Sequence, residues 1–147
     1  WIGLSNTPLP RLQGSVDWVR KADALAASFG PGFTNRTQVE GSGYTSTAAT
    51  GFLAERPSLC LSLRGLEGAP EPQVHCLTRT GVDTYAGDGF RSLKLALATG
   101  LGSGWFTNPV TRAVQTVRFT VLLPDGVVTG HLLGTQSSAA LEFPAVP

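Results

Sequence analysis

Methionine is absent from the 147 residues, and histidine and cysteine occur only twice each. Without methionine, Trp1 is not expected to be a translation start. Charge is scarce as well: 14% of residues carry it, 11 Lys plus Arg against 10 Asp plus Glu, and no like-charged run exceeds Arg20-Lys21. A protein that reads nucleic acid needs a basic stripe to neutralise phosphates, so nucleic acid is not an expected partner. No apolar stretch approaches the ~18 residues of a helical membrane span, so none is expected in this chain. Apolar residues reach 41%, far too many for charge-driven disorder. The length suits a single domain, 1–147, with a core of ordinary size. Weak charge also removes the repulsion that keeps monomers apart, which favours self-assembly or a homo-oligomer.

Both cysteines lie in alternating runs, Ser58-Leu59-Cys60-Leu61-Ser62-Leu63 and Gln73-Val74-His75-Cys76-Leu77-Thr78-Arg79. Between them, 65–72 is too rich in glycine and proline for helix or strand, which predicts a hairpin. Folded symmetrically, the hairpin sets Cys60 opposite Cys76, where Cβ atoms are about 4.5–5.5 Å apart. A disulfide needs roughly 3.8 Å. The spacing is not the C-x-x-C of redox and zinc motifs. A Cys60–Cys76 disulfide is therefore expected over two buried thiols, and with it an oxidising setting: extracellular, cell surface or virion surface.

Along the chain, residues 1–12, with Pro8 and Pro10, read as an extended N-terminal arm. An amphipathic helix is predicted over about 15–29. Ser15 suits the N-cap, Asp17 the first turn, and Val16, Val19, Ala22, Ala26 and Phe29 recur at three-to-four spacing before Gly30-Pro31-Gly32. Phe33 to Glu55 is polar and small, and reads as a long surface loop with one or two short strands. From Ser58 the period becomes two. Leu93, Leu95 and Leu97 alternate with smaller or polar neighbours, as do Val117, Phe119, Val121 and Leu123; a Pro124-Asp125-Gly126 turn then leads into Val127 to Leu133. A last strand is predicted near 139–143. Connections this short make the strands antiparallel. The expected fold is mainly β: an antiparallel β-sandwich or curved sheet of six to eight strands, with one N-terminal helix packed on it.

No catalytic residue, metal site or cofactor is legible. In the inferred hairpins His75 shares a face with Leu59, Leu61 and Leu77, and His131 falls opposite Phe119. A half-buried imidazole bonded to backbone is expected there, since a metal lacks a third ligand. Ser103, in Gly100-Leu101-Gly102-Ser103-Gly104, has no following helix to make a nucleophile elbow or phosphate cradle, so the run reads as a loop between strands. Asp83-Thr84-Tyr85-Ala86-Gly87-Asp88-Gly89 offers two carboxylates and an aromatic ring. Asp83, Tyr85 and Asp88 could serve a sugar or a calcium ion, though a plain Asx-rich turn needs no ligand. Trp105-Phe106 is a candidate exposed aromatic pair, and exposed aromatics mark interfaces. Asn35-Arg36-Thr37 fits the N-glycosylation acceptor pattern.

A helix leading into a disulfide-bearing antiparallel sheet resembles the globular part of type IV pilin-like proteins. Leu9-Pro10-Arg11-Leu12 is similar to the end of a pilin's membrane half. The resemblance covers residues 1–30, and Trp1 to Pro8 departs from it in being too polar for that family's apolar helix. It implies a pilin-like or pseudopilin globular domain. The residues themselves point to a non-enzymatic extracellular or surface structural or assembly subunit, such as a viral capsid or spike domain or a component of an extracellular filament. Its partner would be protein, and its working surface the polar segments 33–55 and 81–89. A carbohydrate- or ligand-binding β module, with a glycan as partner, is the second class.

Overall fold

Period-two patterning needs a partner for every strand, and most of the chain satisfies that need by closing on itself. The computed structural model describes residues 2–4, 10–24, 32–123, 125–133 and 138–143. In chain order the elements are β1 (Ile2–Leu4), β2 (Arg11–Arg20), β3 (Phe33–Ser42), α1 (Ser46–Ala54), β4 (Ser58–Arg64), β5 (Gln73–Arg79), β6 (Thr84–Gly87), β7 (Phe90–Ala96), β8 (Leu101–Thr107), β9 (Val114–Leu122), β10 (Val127–Leu133) and β11 (Ser138–Glu142). The chain divides into two compact units, Trp1–Gly43 and Tyr44–Pro147.

The larger unit is a closed barrel of β4 to β11 in which each strand pairs antiparallel with the next. β11 returns to β4 through Ala140↔Arg64, Leu141↔Leu63 and Glu142↔Ser62. The mainly β, antiparallel expectation holds, but the curved sheet goes all the way round and leaves no free edge. One set of alternate side chains fills the inside, including Leu61, Leu77, Phe106, Val117, Leu132 and Leu141, each 1% exposed or less. Each such burial stabilises by about 1.5–3 kcal/mol relative to exposure. Cys60 stands opposite Cys76 on the other phase of the same ladder, and the two are bonded.

The run Gly100 to Gly104, expected as a loop, is mostly strand β8. Gly102 and Gly104 take inward positions, and both are buried. A Cβ at Gly102 would run into the Phe119 ring, and one at Gly104 into the Ser92 carbonyl. Close approach of neighbouring chain, not a turn, is what requires glycine here.

Helix α1 lies in the stretch read as loop. Thr45 caps its N-terminus by accepting from the Ala48 N–H at 3.2 Å. Ala49, Phe52 and Leu53, at i, i+3 and i+4, are buried. Phe52 and Leu53 meet side chains of β4, β6, β7, β9, β10 and β11 around a cavity of only about 20 Å³. That is room for roughly one water, so side chains fill the barrel. The last helical carbonyls are satisfied from outside: Arg79 donates to Leu53 O at 2.7 Å and Arg56 to Phe52 O at 3.1 Å.

The smaller unit overturns the helix expected over 15–29. Residues Arg11–Arg20 form strand β2, while 25–29 lie outside the described residues. Val16 and Val19 fit helical spacing, but Leu12, Gly14, Val16 and Trp18 fit period two as well. β-Branched and aromatic side chains prefer the pleated surface. Ser15 pairs with Gln38 instead of capping a helix. Asp17 faces Arg36, whose guanidinium donates to both carboxylate oxygens at 2.7 and 3.0 Å and holds the carboxyl below its ordinary pKa. Of the expected arm, Ile2–Leu4 pairs with β2 and Arg11 and Leu12 belong to it; 1 and 5–9 are not among the described residues. The segment 33–55 is accordingly a ten-residue strand and a helix rather than a loop.

Gly104→Ala is expected to cost about 1–3 kcal/mol, the range for overpacking, because the obstacle is backbone and cannot rotate away. Denaturant unfolding of the variant against wild type measures it.

Candidate functional site

The structure separates the residues that the sequence grouped as a ligand loop. Residues 81–89 are largely strand β6 and its turn into β7. Tyr85 is 3% exposed. Its hydroxyl donates to Arg56 O at 2.6 Å, and burial raises its pKa. Asp83 borders the same small cavity, accepts from Thr84 Oγ1 at 2.9 Å and lies 3.8 Å from Lys94 Nζ. Asp88 sits apart, at a turn with φ of 43°, followed by Gly89 at 85°. Its carboxylate accepts from the Cys76 N–H at 2.9 Å, so the acid braces the chain beside the disulfide. Phe106 is fully buried while Trp105 points out, so the aromatic pair splits across the wall. Asn35 is exposed on β3, opposite Trp18, in a strand rather than a loop.

The histidines part as well. His75 is half-buried, and its ring sits edge-on to Phe106 and Phe90 at 5.1 and 5.8 Å. Its Nδ1 lies 3.0 Å from Asp88 O, and since a carbonyl only accepts, Nδ1 carries the proton. Nε2 is buried with no hydrogen-bond partner among the described residues, as is Gln115 Oε1. His131 is exposed and opposite Arg118, not Phe119; Phe119 pairs with Gly130. A hairpin shift of one residue moves a side chain to the other face. Ser103 and His131 flank Arg118 on successive strands, about 10 Å apart at the usual strand spacing, beyond reach as nucleophile and base. Among the described residues no three of His, Cys, Asp or Glu come together as metal ligands.

What the fold does assemble is an outward face on β8, β9 and β10. Trp105 stands opposite Thr116, and Thr116 opposite Leu133, so indole and leucine flank one threonine. Val114 lies two residues before it on the same face. Trp105, Val114 and Leu133 are 55%, 59% and 52% exposed, an apolar patch left in water. The next row along the strands reads Ser103, Arg118, His131, and the next Leu101, Thr120, Thr129. Leu101, Arg118, Thr120, Thr129 and His131 line a shallow hollow of about 380 Å³. Thr120 Oγ1 already donates to Gly100 O at 3.1 Å. Arg64 takes up Glu142 at 3.4 Å and Lys94 lies near Asp83, whereas Arg118 has no ion-pair partner among the described residues. The sequence singled out Ser103, Trp105 and His131 of this face, and only Trp105 among them as a contact residue. Val114, Arg118 and Leu133 were legible only as positions out of phase with the core run.

Tyr85→Phe is expected to lower stability by about 1–2 kcal/mol, the loss of one hydrogen bond at a part-buried carbonyl. Gly-Ser replacement across 81–89 should unfold the barrel; thermal melts followed by circular dichroism test both. No family model, curated protein or solved structure matches the chain.

Proposed function

We propose that the chain is a non-enzymatic assembly subunit of an extracellular or surface structure, such as a capsid, spike or filament, that works by contact through the outer wall of β8, β9 and β10. Trp105 carries this reading. A tryptophan more than half exposed, beside Val114, Leu133 and an arginine with no ion-pair partner among the described residues, has the composition of an interface centre. The wall behind it is rigid, because the barrel is filled and closed. The disulfide suits an oxidising compartment. An apolar interior with Lys94, Arg118, His131 and Glu142 facing out is the reverse of a lipid-facing barrel. The pilin-like alternative loses its support, since its helix would have begun where β2 lies.

A carbohydrate-binding role is the second reading, favoured by the hollow, where hydroxyls, a guanidinium and an imidazole gather on the same outer wall as Trp105.

Wild type should associate with rising concentration in sedimentation velocity. Trp105→Ser with Leu133→Ser should stay folded and weaken that association roughly tenfold or more, as loss of a hot spot does. A wild type that remains monomeric across the micromolar to millimolar range overturns the assembly reading. Glycan-array binding abolished by Trp105→Ser, in a protein that never self-associates, transfers the face to the second reading.

A further inference from the structure

The three-stranded sheet of the smaller unit differs from the barrel in two ways. It is open, with order β1-β2-β3, so among the described residues β3 pairs on one side only. Among the described residues it also shows no core: none of 10–24 or 32–43 is buried. A small sheet without a covered apolar face is marginal by itself, and an open edge, which among the described residues β3 offers over 34–41, is a template for another strand. Edges left open in this way are commonly blunted by lysine or proline, and β3 has neither.

Its sequence, Phe33-Thr34-Asn35-Arg36-Thr37-Gln38-Val39-Glu40-Gly41-Ser42, is instead self-complementary in charge. Laid antiparallel on a copy of itself about Gln38, it sets Gln38 against Gln38, Thr37 against Val39, and Arg36 against Glu40, the last two twice over. Arg36, Gln38 and Glu40 share one face of the strand, since alternate residues do. Arg36 spends two of its five donors on Asp17. Glu40 has no ion-pair partner among the described residues. We infer that β3 pairs antiparallel with β3 of a second copy of this chain, about a two-fold axis at Gln38, and that the ion pairs Arg36–Glu40 set the register. The pairing joins two three-stranded sheets into one of six strands, and a two-fold contact of this kind closes on itself. Each side extends the Asp17–Arg36 pair into a chain of three charges. The inference rests on the assembly reading above but uses a surface separate from the barrel wall.

Gln38→Cys provides the first test. Cys60 and Cys76 are bonded to each other, so the new thiol is the only free one. Residues directly opposed across a ladder are close enough to bridge. Under mild oxidation Gln38→Cys should run as a disulfide-linked dimer. Thr37→Cys and Val39→Cys, which face each other but not themselves, should link well only when mixed. The charge test uses Glu40→Arg and the double variant Asp17→Arg, Arg36→Glu, which keeps the internal pair with its signs exchanged. Each alone should self-associate roughly tenfold more weakly, from two like-charged pairs facing across the axis, and mixing the two should restore wild-type association. If Gln38→Cys stays monomeric and the charge variants associate as wild type does, the β3 pairing is wrong while assembly through the wall stands. If wild type itself never associates and no variant crosslinks, both fail.

Discussion

Closure of the barrel depends on a short seam. β11 meets β4 over three residue pairs, and at the middle of that seam Leu141 and Leu63 are both 0% exposed. Were the seam open, β4 and β11 would each offer an edge to other chains, and the side chains packed behind them would meet water. Once it holds, every inward position of eight strands faces the same enclosed space. The interior is then a matter of volume: glycine where Phe119 and the Ser92 carbonyl press in, larger side chains such as Leu61, Phe106 and Val117 elsewhere, and Phe52 and Leu53 of α1 filling what remains.

The cavity that α1 and the strands line has room for about one water, and the polar loop residues Asp83, Tyr85 and Asp88 bond to Lys94, to Arg56 just after α1, and to the strand that carries Cys76. The outer wall has the opposite character. Its apolar residues there, Leu101, Trp105, Val114 and Leu133, are more than half exposed, and Arg118 has no ion-pair partner among the described residues. The chain is near neutral and low in charge, and among the described residues the barrel wall carries exposed apolar side chains while β3 pairs with a strand on one side only.

Legibility in the sequence followed how locally each feature is determined. The hairpin of β4 and β5 was plain because its turn is rich in glycine and proline and its arms alternate, which fixes Cys60 opposite Cys76. β10 was plain for the same reason. The helix at 15–29 was misread because an arm with Val16, Trp18 and Val19 satisfies two periods at once, and only the partner strand β3 selects period two. α1 was missed although Thr45 and the Ala49, Phe52, Leu53 spacing were there to be read. Its threonines and Gly51 look like loop, and its burial comes from strands distant in sequence.

The sequence alone determined what depends on neighbours a few residues apart: the alternation of β4, β5, β7 and β9, the glycine- and proline-rich turn between β4 and β5, the disulfide pair and the low charge. Only the tertiary structure decided closure, the packing of Phe52 and Leu53 of α1 against the barrel strands, the inward glycines of β8 and the face that gathers Trp105, Val114, Leu133 and Arg118. Alternation says that a side chain points away from its neighbour, but not which direction is inside. That is settled when the last strand meets the first and one face of the sheet loses its water.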